Sequence, residues 1–98
     1  HYSIDALSMS QFEAHWRGLL NWPLKNPLLM ANAFAMVNLL GENPKSPVRL
    51  SKDPVGRLHW YGKTENREGR KMGHINTVGK NPDDALKKAL HWRKDFAL

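Results

Sequence analysis

Four cationic side chains fall within nine residues of this sequence, at Lys63, Arg67, Arg70 and Lys71. Guanidinium groups bind phosphate or carboxylate through paired N–H donors, and ammonium groups add a concentrated positive charge. The cluster therefore predicts a site for an anionic ligand. From composition alone, a solvated turn that happens to be cationic is an equally good interpretation. Two functional interpretations stand beside it: binding of a phosphorylated small molecule, and contact with a nucleic-acid backbone.

Two β-like runs flank the cluster and would place it at the mouth of a hairpin. Residues 57–63 alternate in polarity, with Leu58 and Trp60 on one face. Residues 71–78 are the predicted partner strand. The connection of about seven residues is longer than a tight hairpin turn. Within it, Gly69 is expected to adopt a backbone conformation that other residues resist.

The segments before the hairpin predict one helix and one strand. Ser8 and Gln11 have the spacing of a capping box, and apolar residues recur at helical spacing, so residues 8–20 are predicted to be a helix. Residues 33–40 form an apolar run of the kind that favours a buried central strand. Residues 41–54 contain three prolines and are predicted to be a long loop.

The segment after the hairpin predicts a second helix. Asn81 is a candidate N-cap and Pro82 suits the first helical position. An apolar stripe along this helix is expected to dock on the sheet; it consists of Ala85, Ala89, Trp92 and Phe96. The order of helix, strand, loop, hairpin and helix indicates a small α+β domain.

Composition narrows the classes of protein to which this chain can belong. Its 98 residues suffice for one small domain with a modest core. The absence of cysteine excludes disulfides and thiolate metal sites. No apolar run approaches the roughly 20 residues that span a bilayer. The net charge of +6 suits nucleic acid, an acidic lipid surface or a phosphorylated small molecule. Because the sequence begins with His rather than Met, we expect a piece of a longer protein.

The sequence carries no self-contained catalytic motif. The five histidines lack a local metal-ligand spacing, and no nucleophile elbow or Walker loop is present. No pair of carboxylates has an arrangement suited to general acid–base catalysis. His59 and His74 could face each other across the hairpin, where a structural role is favoured over a metal site. The four tryptophans are expected in the core or at an interface rather than as base-stacking platforms. We therefore assign no catalytic residue and no metal ligand.

Four blocks of sequence resemble one known family in their order and spacing. They are H-Y-S-I-D-A at 1–6, S-Q-F-E at 10–13, M-V-N-L-L-G at 36–41, and L-H-W-Y-G-K…R-E-G-R-K-M-G-H-I at 58–75. The family is that of 5-(carboxyamino)imidazole ribonucleotide synthase, also called PurK or the ATPase subunit of phosphoribosylaminoimidazole carboxylase. The resemblance covers about residues 1–78, and the last block is its most specific part.

The resemblance implies that residues 1–98 are the single C-terminal domain of an ATP-grasp enzyme. Its fold would be a small sheet or barrel-like domain with an N-terminal and a C-terminal helix packed on it. Residues 1–6 would be the tail of the preceding ATP-grasp domain. The family's cytoplasmic enzymes use ATP, Mg²⁺ and bicarbonate to carboxylate aminoimidazole ribonucleotide in de novo purine synthesis. The resemblance suggests a homodimer for the full-length enzyme. The 98 residues alone are expected to be inactive and to bind no cofactor.

The resemblance also implies roles for the cationic cluster. Lys63 and Arg70 would contact the 5′-phosphate of the ribonucleotide, with Arg67 and Lys71 as neighbouring support. The family often has proline where this chain has Glu68, which predicts a less rigid and less positive turn. The alternatives are a small basic nucleic-acid-binding module and a purely structural interaction domain. Clustering of the cations at one turn, without interleaved aromatic residues, argues against nucleic acid, and no membrane partner is expected.

Overall fold

The computed structural model describes residues 1–43, 45, 48–51 and 55–98. Six elements follow one another along the chain: α1 (Ser3–Ala6), α2 (Gln11–Leu19), β1 (Ala33–Leu40), β2 (Arg57–Trp60), β3 (Lys71–Gly79) and α3 (Pro82–Arg93). The three strands form one antiparallel sheet in the order β1-β3-β2. The predicted α+β class is confirmed. No helix within these ranges has the length and apolar character needed to cross a bilayer.

The centre of the sheet is β3 rather than β1. β3 pairs with β1 on one side and with β2 on the other, and its residues 72–77 are all buried. The prediction of a central strand at 33–40 is therefore wrong in its position, although its bounds are confirmed. The hairpin makes β2 and β3 neighbours, so β1 cannot lie between them, and it pairs with the free side of β3. An apolar run shows that a strand has buried positions, and it does not show how many neighbours the strand has.

The core lies between the sheet and α3, as the apolar stripe predicts. Leu39 and Ile75 meet Ala89, Trp92 and Phe96 there, all of them buried. The rings of Trp92 and Phe96 lie edge to face with their centroids 5.5 Å apart, an arrangement that aromatic pairs favour.

The start of α3 follows its predicted signals. Pro82 begins the helix, and the Asn81 side chain accepts a hydrogen bond of 2.8 Å from the Asp84 N–H. The predicted N-cap is therefore confirmed, because the side chain satisfies a donor that the first turn leaves free.

The N-terminal helix differs from its prediction in its start and in its packing. Helix α2 begins at Gln11, and its cap is Ser10, whose hydroxyl accepts from Glu13 N–H at 3.1 Å. The Ser8 hydroxyl instead accepts from Leu28 N–H at 2.9 Å and ties the helix entry to the following loop. The apolar stripe of α2 is exposed, with Trp16 at 62%. Periodicity identifies an apolar face, but it does not identify what covers that face.

Part of the long loop packs against the C-terminal end of the chain. Arg49 and Ala97 form an isolated antiparallel bridge, and Glu42 N–H donates to the Leu98 carbonyl at 2.9 Å. Positions 44, 46–47 and 52–54 of the predicted loop lie outside the described residues.

The face of the sheet away from α3 is polar. Leu58 and Ile75 point to the core, so their neighbours in the two strands point to the opposite side. We call this side the polar face; its residues on β2 and β3 are Arg57, His59, His74 and Asn76. The short helix α1, which the sequence did not predict, contacts this face through Asp5.

Candidate functional site

A ten-residue connection, 61–70, joins β2 to β3 and carries most of the predicted cationic cluster. Strand β2 ends at Trp60 rather than at the predicted position 63, although Tyr61 N–H still donates to the Met72 carbonyl at 3.1 Å. Gly62 and Gly69 have positive φ angles of 66° and 71°, which end the extended conformation and favour glycine at both places. The predicted special conformation of Gly69 is confirmed. We define the cationic turn as residues 61–71, so that it includes all four predicted site residues.

The cationic turn docks on the end of β1 through Gly41. Gly41 N–H donates to the Arg70 carbonyl at 2.8 Å, and the Gly41 carbonyl accepts from Gly69 N–H at 2.8 Å. A Cβ at Gly41 would lie 2.1 Å from Asn66 Oδ1 and 2.2 Å from the Arg67 carbonyl oxygen. Only glycine permits this approach, so the backbone of the turn is held against the sheet rather than projecting from it.

The four cations of the turn fall into two neighbouring groups, and Lys63 and Lys71 are the first. The Lys63 ammonium donates to the Lys71 carbonyl at 2.7 Å, and its Nζ lies 5.5 Å from the centre of the Tyr61 ring. The ring face is electron-rich, so it attracts the cation weakly. These contacts hold the Lys63 side chain across the start of β3, whereas Lys71 is exposed.

Arg67 and Arg70 form the second group, because both contact the carboxylate of Glu65. An Arg67 Nη atom is ion-paired with Glu65, and Arg70 Nη1 lies 3.7 Å from Glu65 Oε2. Arg70 Nη1 also donates to the Glu65 backbone carbonyl at 3.2 Å. Side-chain exposure is 70% for Arg67 and 35% for Arg70. The sequence drew attention to Glu68, but Glu65 is the acidic residue that meets both guanidinium groups.

A hydrogen-bonded network on the polar face was missed by the sequence analysis. Asp5 Oδ2 accepts from His59 Nε2 at 2.6 Å and from Asn76 Nδ2 at 2.7 Å. His59 stacks on His74, with ring centroids 4.6 Å apart and planes at 16°. His74 Nδ1 is 2.6 Å from the Tyr61 hydroxyl oxygen. The alternation of residues 57–63 placed His59 and Tyr61 on one face, but no local signal pointed to Asp5.

The surroundings of this network set its protonation. Burial raises the pKa of Asp5, but hydrogen bonds from Asn76 and His59 and the charges of His59 and Arg57 outweigh burial, so the pKa is below its ordinary value. Burial and the charge of His59 lower the pKa of His74. Asp5 is therefore an ionised acceptor at neutral pH, and His74 is a neutral imidazole.

Two buried atoms of the network have no hydrogen-bond partner in the described part of the chain: His74 Nε2 and Asn76 Oδ1. His59 and His74 face each other in register, as the sequence suggested. No group of three or more potential metal ligands occurs within the described ranges. The two imidazole rings are stacked, and each has its own hydrogen-bond partner: Asp5 for His59 and Tyr61 for His74.

Comparison with known proteins places this geometry in a family context. The family model described as phosphoribosylaminoimidazole carboxylase C-terminal domain matches residues 34–88. The N5-carboxyaminoimidazole ribonucleotide synthase of Saccharolobus solfataricus is 41% identical over 88 residues, which are 90% of this chain and 23% of that protein. The match includes the cationic turn and both strands that carry it.

Solved structures agree with the sequence comparisons. The N5-carboxyaminoimidazole ribonucleotide synthetase of Thermotoga maritima is 40% identical with a TM-score of 0.83, over 98% of this chain and 28% of that one. The Staphylococcus aureus N5-carboxyaminoimidazole synthetase complexed with ADP is 30% identical with a TM-score of 0.74, over 95% and 25%. The chain thus spans about a quarter of the length of these relatives.

Proposed function

The chain belongs to the phosphoribosylaminoimidazole carboxylase C-terminal domain family, and we propose that it is the C-terminal domain of an N5-carboxyaminoimidazole ribonucleotide synthase. In this proposal the domain binds the 5′-phosphate of aminoimidazole ribonucleotide at the cationic turn. Lys63 and Arg70 contact the phosphate, and Arg67 and Lys71 support them. An ATP-grasp domain joined to it binds ATP and Mg²⁺ and carries out the carboxylation.

One observation carries the assignment of the phosphate site. Arg67 and Arg70 reach the same carboxylate, that of Glu65, from two positions of one turn. A phosphate group offers these donors the same kind of oxygen acceptor with a larger charge. The guanidinium groups are therefore already arranged around an anion, and a phosphate would compete with Glu65 for them.

The backbone of the turn supports the same role. Gly41 holds the turn through two hydrogen bonds, so its cations are presented from a fixed main chain. Anchoring the phosphate limits the motion of the rest of the ribonucleotide, and such orientation lowers the entropic part of a reaction barrier. The domain would contribute to catalysis by placing the substrate amine, without supplying a reacting group.

The proposal extends to the whole enzyme through its relatives. Proteins named N5-carboxyaminoimidazole ribonucleotide synthase are similar to 90% of this chain, and one such structure is a complex with ADP. We propose that the full-length protein is a cytoplasmic, homodimeric purine-biosynthesis enzyme that consumes ATP and bicarbonate. The 98 residues alone would be inactive, because the ATP-binding part would be missing.

The test is steady-state kinetics of the Arg70→Ala variant in the full-length protein that carries this chain. Hydrogen bonds to charged groups contribute about 1.5–3 kcal/mol. Arg70 is partly exposed, so we expect the lower part of that range and a rise of about tenfold in the KM for the ribonucleotide. The KM for ATP should stay within about twofold. Lys87→Ala is the control, because it removes one charge from an exposed position on α3.

A titration of the 98-residue chain with ribose 5-phosphate, followed by amide chemical shifts, complements the kinetics. Shifts confined to residues 63–71 would support a phosphate site carried by this domain. Equal rises in both KM values for Arg70→Ala would contradict the assignment. If neither the 98-residue chain nor the full-length protein responds to the phosphate ligands, salt-dependent binding of mixed-sequence DNA or RNA would favour the nucleic-acid alternative.

A further inference from the structure

A continuous series of contacts runs along the polar face from α1 to the cationic turn. The Asp5 carboxylate accepts from His59, and the His59 ring stacks on His74. His74 Nδ1 is hydrogen-bonded to the Tyr61 hydroxyl, and the Tyr61 ring faces the Lys63 ammonium. The series therefore begins at a residue remote in sequence and ends at a predicted phosphate-binding residue.

Burial of the polar groups in this series disfavours other hydrogen-bonding arrangements. His74 is 2% exposed and Asn76 4%, and the Asp5 side chain is 14% exposed. A buried polar group that loses its partner remains desolvated without compensation, so alternative arrangements are disfavoured. Asp5 is the junction, because the same carboxylate oxygen accepts from His59 on β2 and from Asn76 on β3.

Tyr61 links the buried network to the cationic turn, because its hydroxyl contacts His74 and its ring contacts Lys63. It directly follows β2 and precedes Gly62, where the chain turns away with a φ of 66°. Its hydroxyl is held by a buried neutral imidazole, so its ring has a defined direction even though the residue is 40% exposed. The Lys63 ammonium contacts both this ring and the Lys71 carbonyl.

We propose that Asp5 is a positioning residue for the cationic turn, and that it acts through His59, His74 and Tyr61 to hold Lys63 where it meets the phosphate. This inference rests on the proposed function, because it assigns a part in ribonucleotide binding to residues that do not contact the phosphate. It identifies Tyr61 as the last member of the series before Lys63.

A double-mutant cycle in the full-length protein tests this coupling. Asp5→Asn keeps the shape of the side chain but removes its charge and one acceptor. Tyr61→Phe keeps the ring but removes its bond to His74. Each variant should raise the KM for the ribonucleotide about three- to tenfold and leave the KM for ATP unchanged. The KM of the double variant for the ribonucleotide should be about that of the more impaired single variant, because both changes interrupt the same series of contacts.

Asp84→Asn is the matched control. It removes the same charge from an aspartate that is also hydrogen-bonded, to the Lys80 N–H and to Lys88, at the start of α3. This carboxylate makes no contact with the polar face. Its loss should leave the KM for the ribonucleotide within about twofold of the wild-type value.

The outcomes separate this inference from the proposed function. If Arg70→Ala raises the KM for the ribonucleotide and both single variants leave it unchanged, Asp5 and Tyr61 have no positioning role. Additive single effects would overturn the coupling, and equal changes in both KM values would indicate general damage to the fold. If Asp5→Asn does not fold, Tyr61→Phe alone decides, since it removes one atom from a residue that is 40% exposed. An unchanged KM in Arg70→Ala would instead refute the phosphate site itself.

Discussion

Replacing Glu65 with glutamine should strengthen phosphate binding, because Glu65 occupies both arginines of the cationic turn. Glu65 contacts Arg67 and Arg70, and the ligand must displace it to reach them. Exposed ion pairs contribute about 0.2–1 kcal/mol each. Two such pairs therefore oppose the ligand by about 0.4–2 kcal/mol. Solvent exposure of both arginines favours the lower half of this range, so the expected fall in the KM for the ribonucleotide is about two- to eightfold.

The assay is the steady-state KM for the ribonucleotide at two ionic strengths. Screening weakens both the Glu65 pairs and the ligand's attraction to the cations, so the advantage of Glu65→Gln should shrink at about 0.5 M salt. Glu13→Gln is the matched control, because Glu13 pairs with Arg17 at 3.0 Å on α2 and is similarly exposed. That variant should leave the KM for the ribonucleotide unchanged.

A rise in the KM for the ribonucleotide in Glu65→Gln would refute this reasoning. It would mean that Glu65 holds the two guanidinium groups in the orientation that the phosphate needs. In that case the carboxylate would be a support of the site rather than a competitor. A fall that is identical in Glu13→Gln would point to net charge alone, without a local effect at the turn.

Two further predictions concern the support of the turn and the acid sensitivity of the fold. Gly41→Ala should raise the KM for the ribonucleotide, because its Cβ would meet Asn66 and force the turn away from β1. Gly18→Ala is the control, because beyond its chain neighbours and its own helix backbone a Cβ there would meet no described atom within 4 Å. Stability against urea should fall as the pH drops below 6.5, the ordinary pKa of histidine. The pKa of His74 is lowered in the folded chain, so below that pH the unfolded chain binds a proton more readily than the folded chain does. His74→Gln should remove this slope, and an unchanged slope would show that another group causes it.

The sequence and the tertiary structure determined different parts of this site. The hairpin, the Asn81 cap and the docking stripe of α3 could be predicted, because each depends on residues within one or two turns or strands. The four cations could be found for the same reason, since they lie within nine residues. The family could be recognised from four short blocks, and the match over residues 34–88 confirms it.

The contacts that hold the cationic turn depend on residues far apart in the chain. Asp5 meets His59 and Asn76 across separations of 54 and 71 residues, and no local pattern links them. The edge position of β1 arises because β2 and β3 pair directly in the hairpin, and Gly41 can be understood only once the turn lies on it. Local sequence specifies periodicity, caps and charge clusters, whereas long-range packing decides which of those groups meet, because their burial and hydrogen bonding exist only in the folded chain.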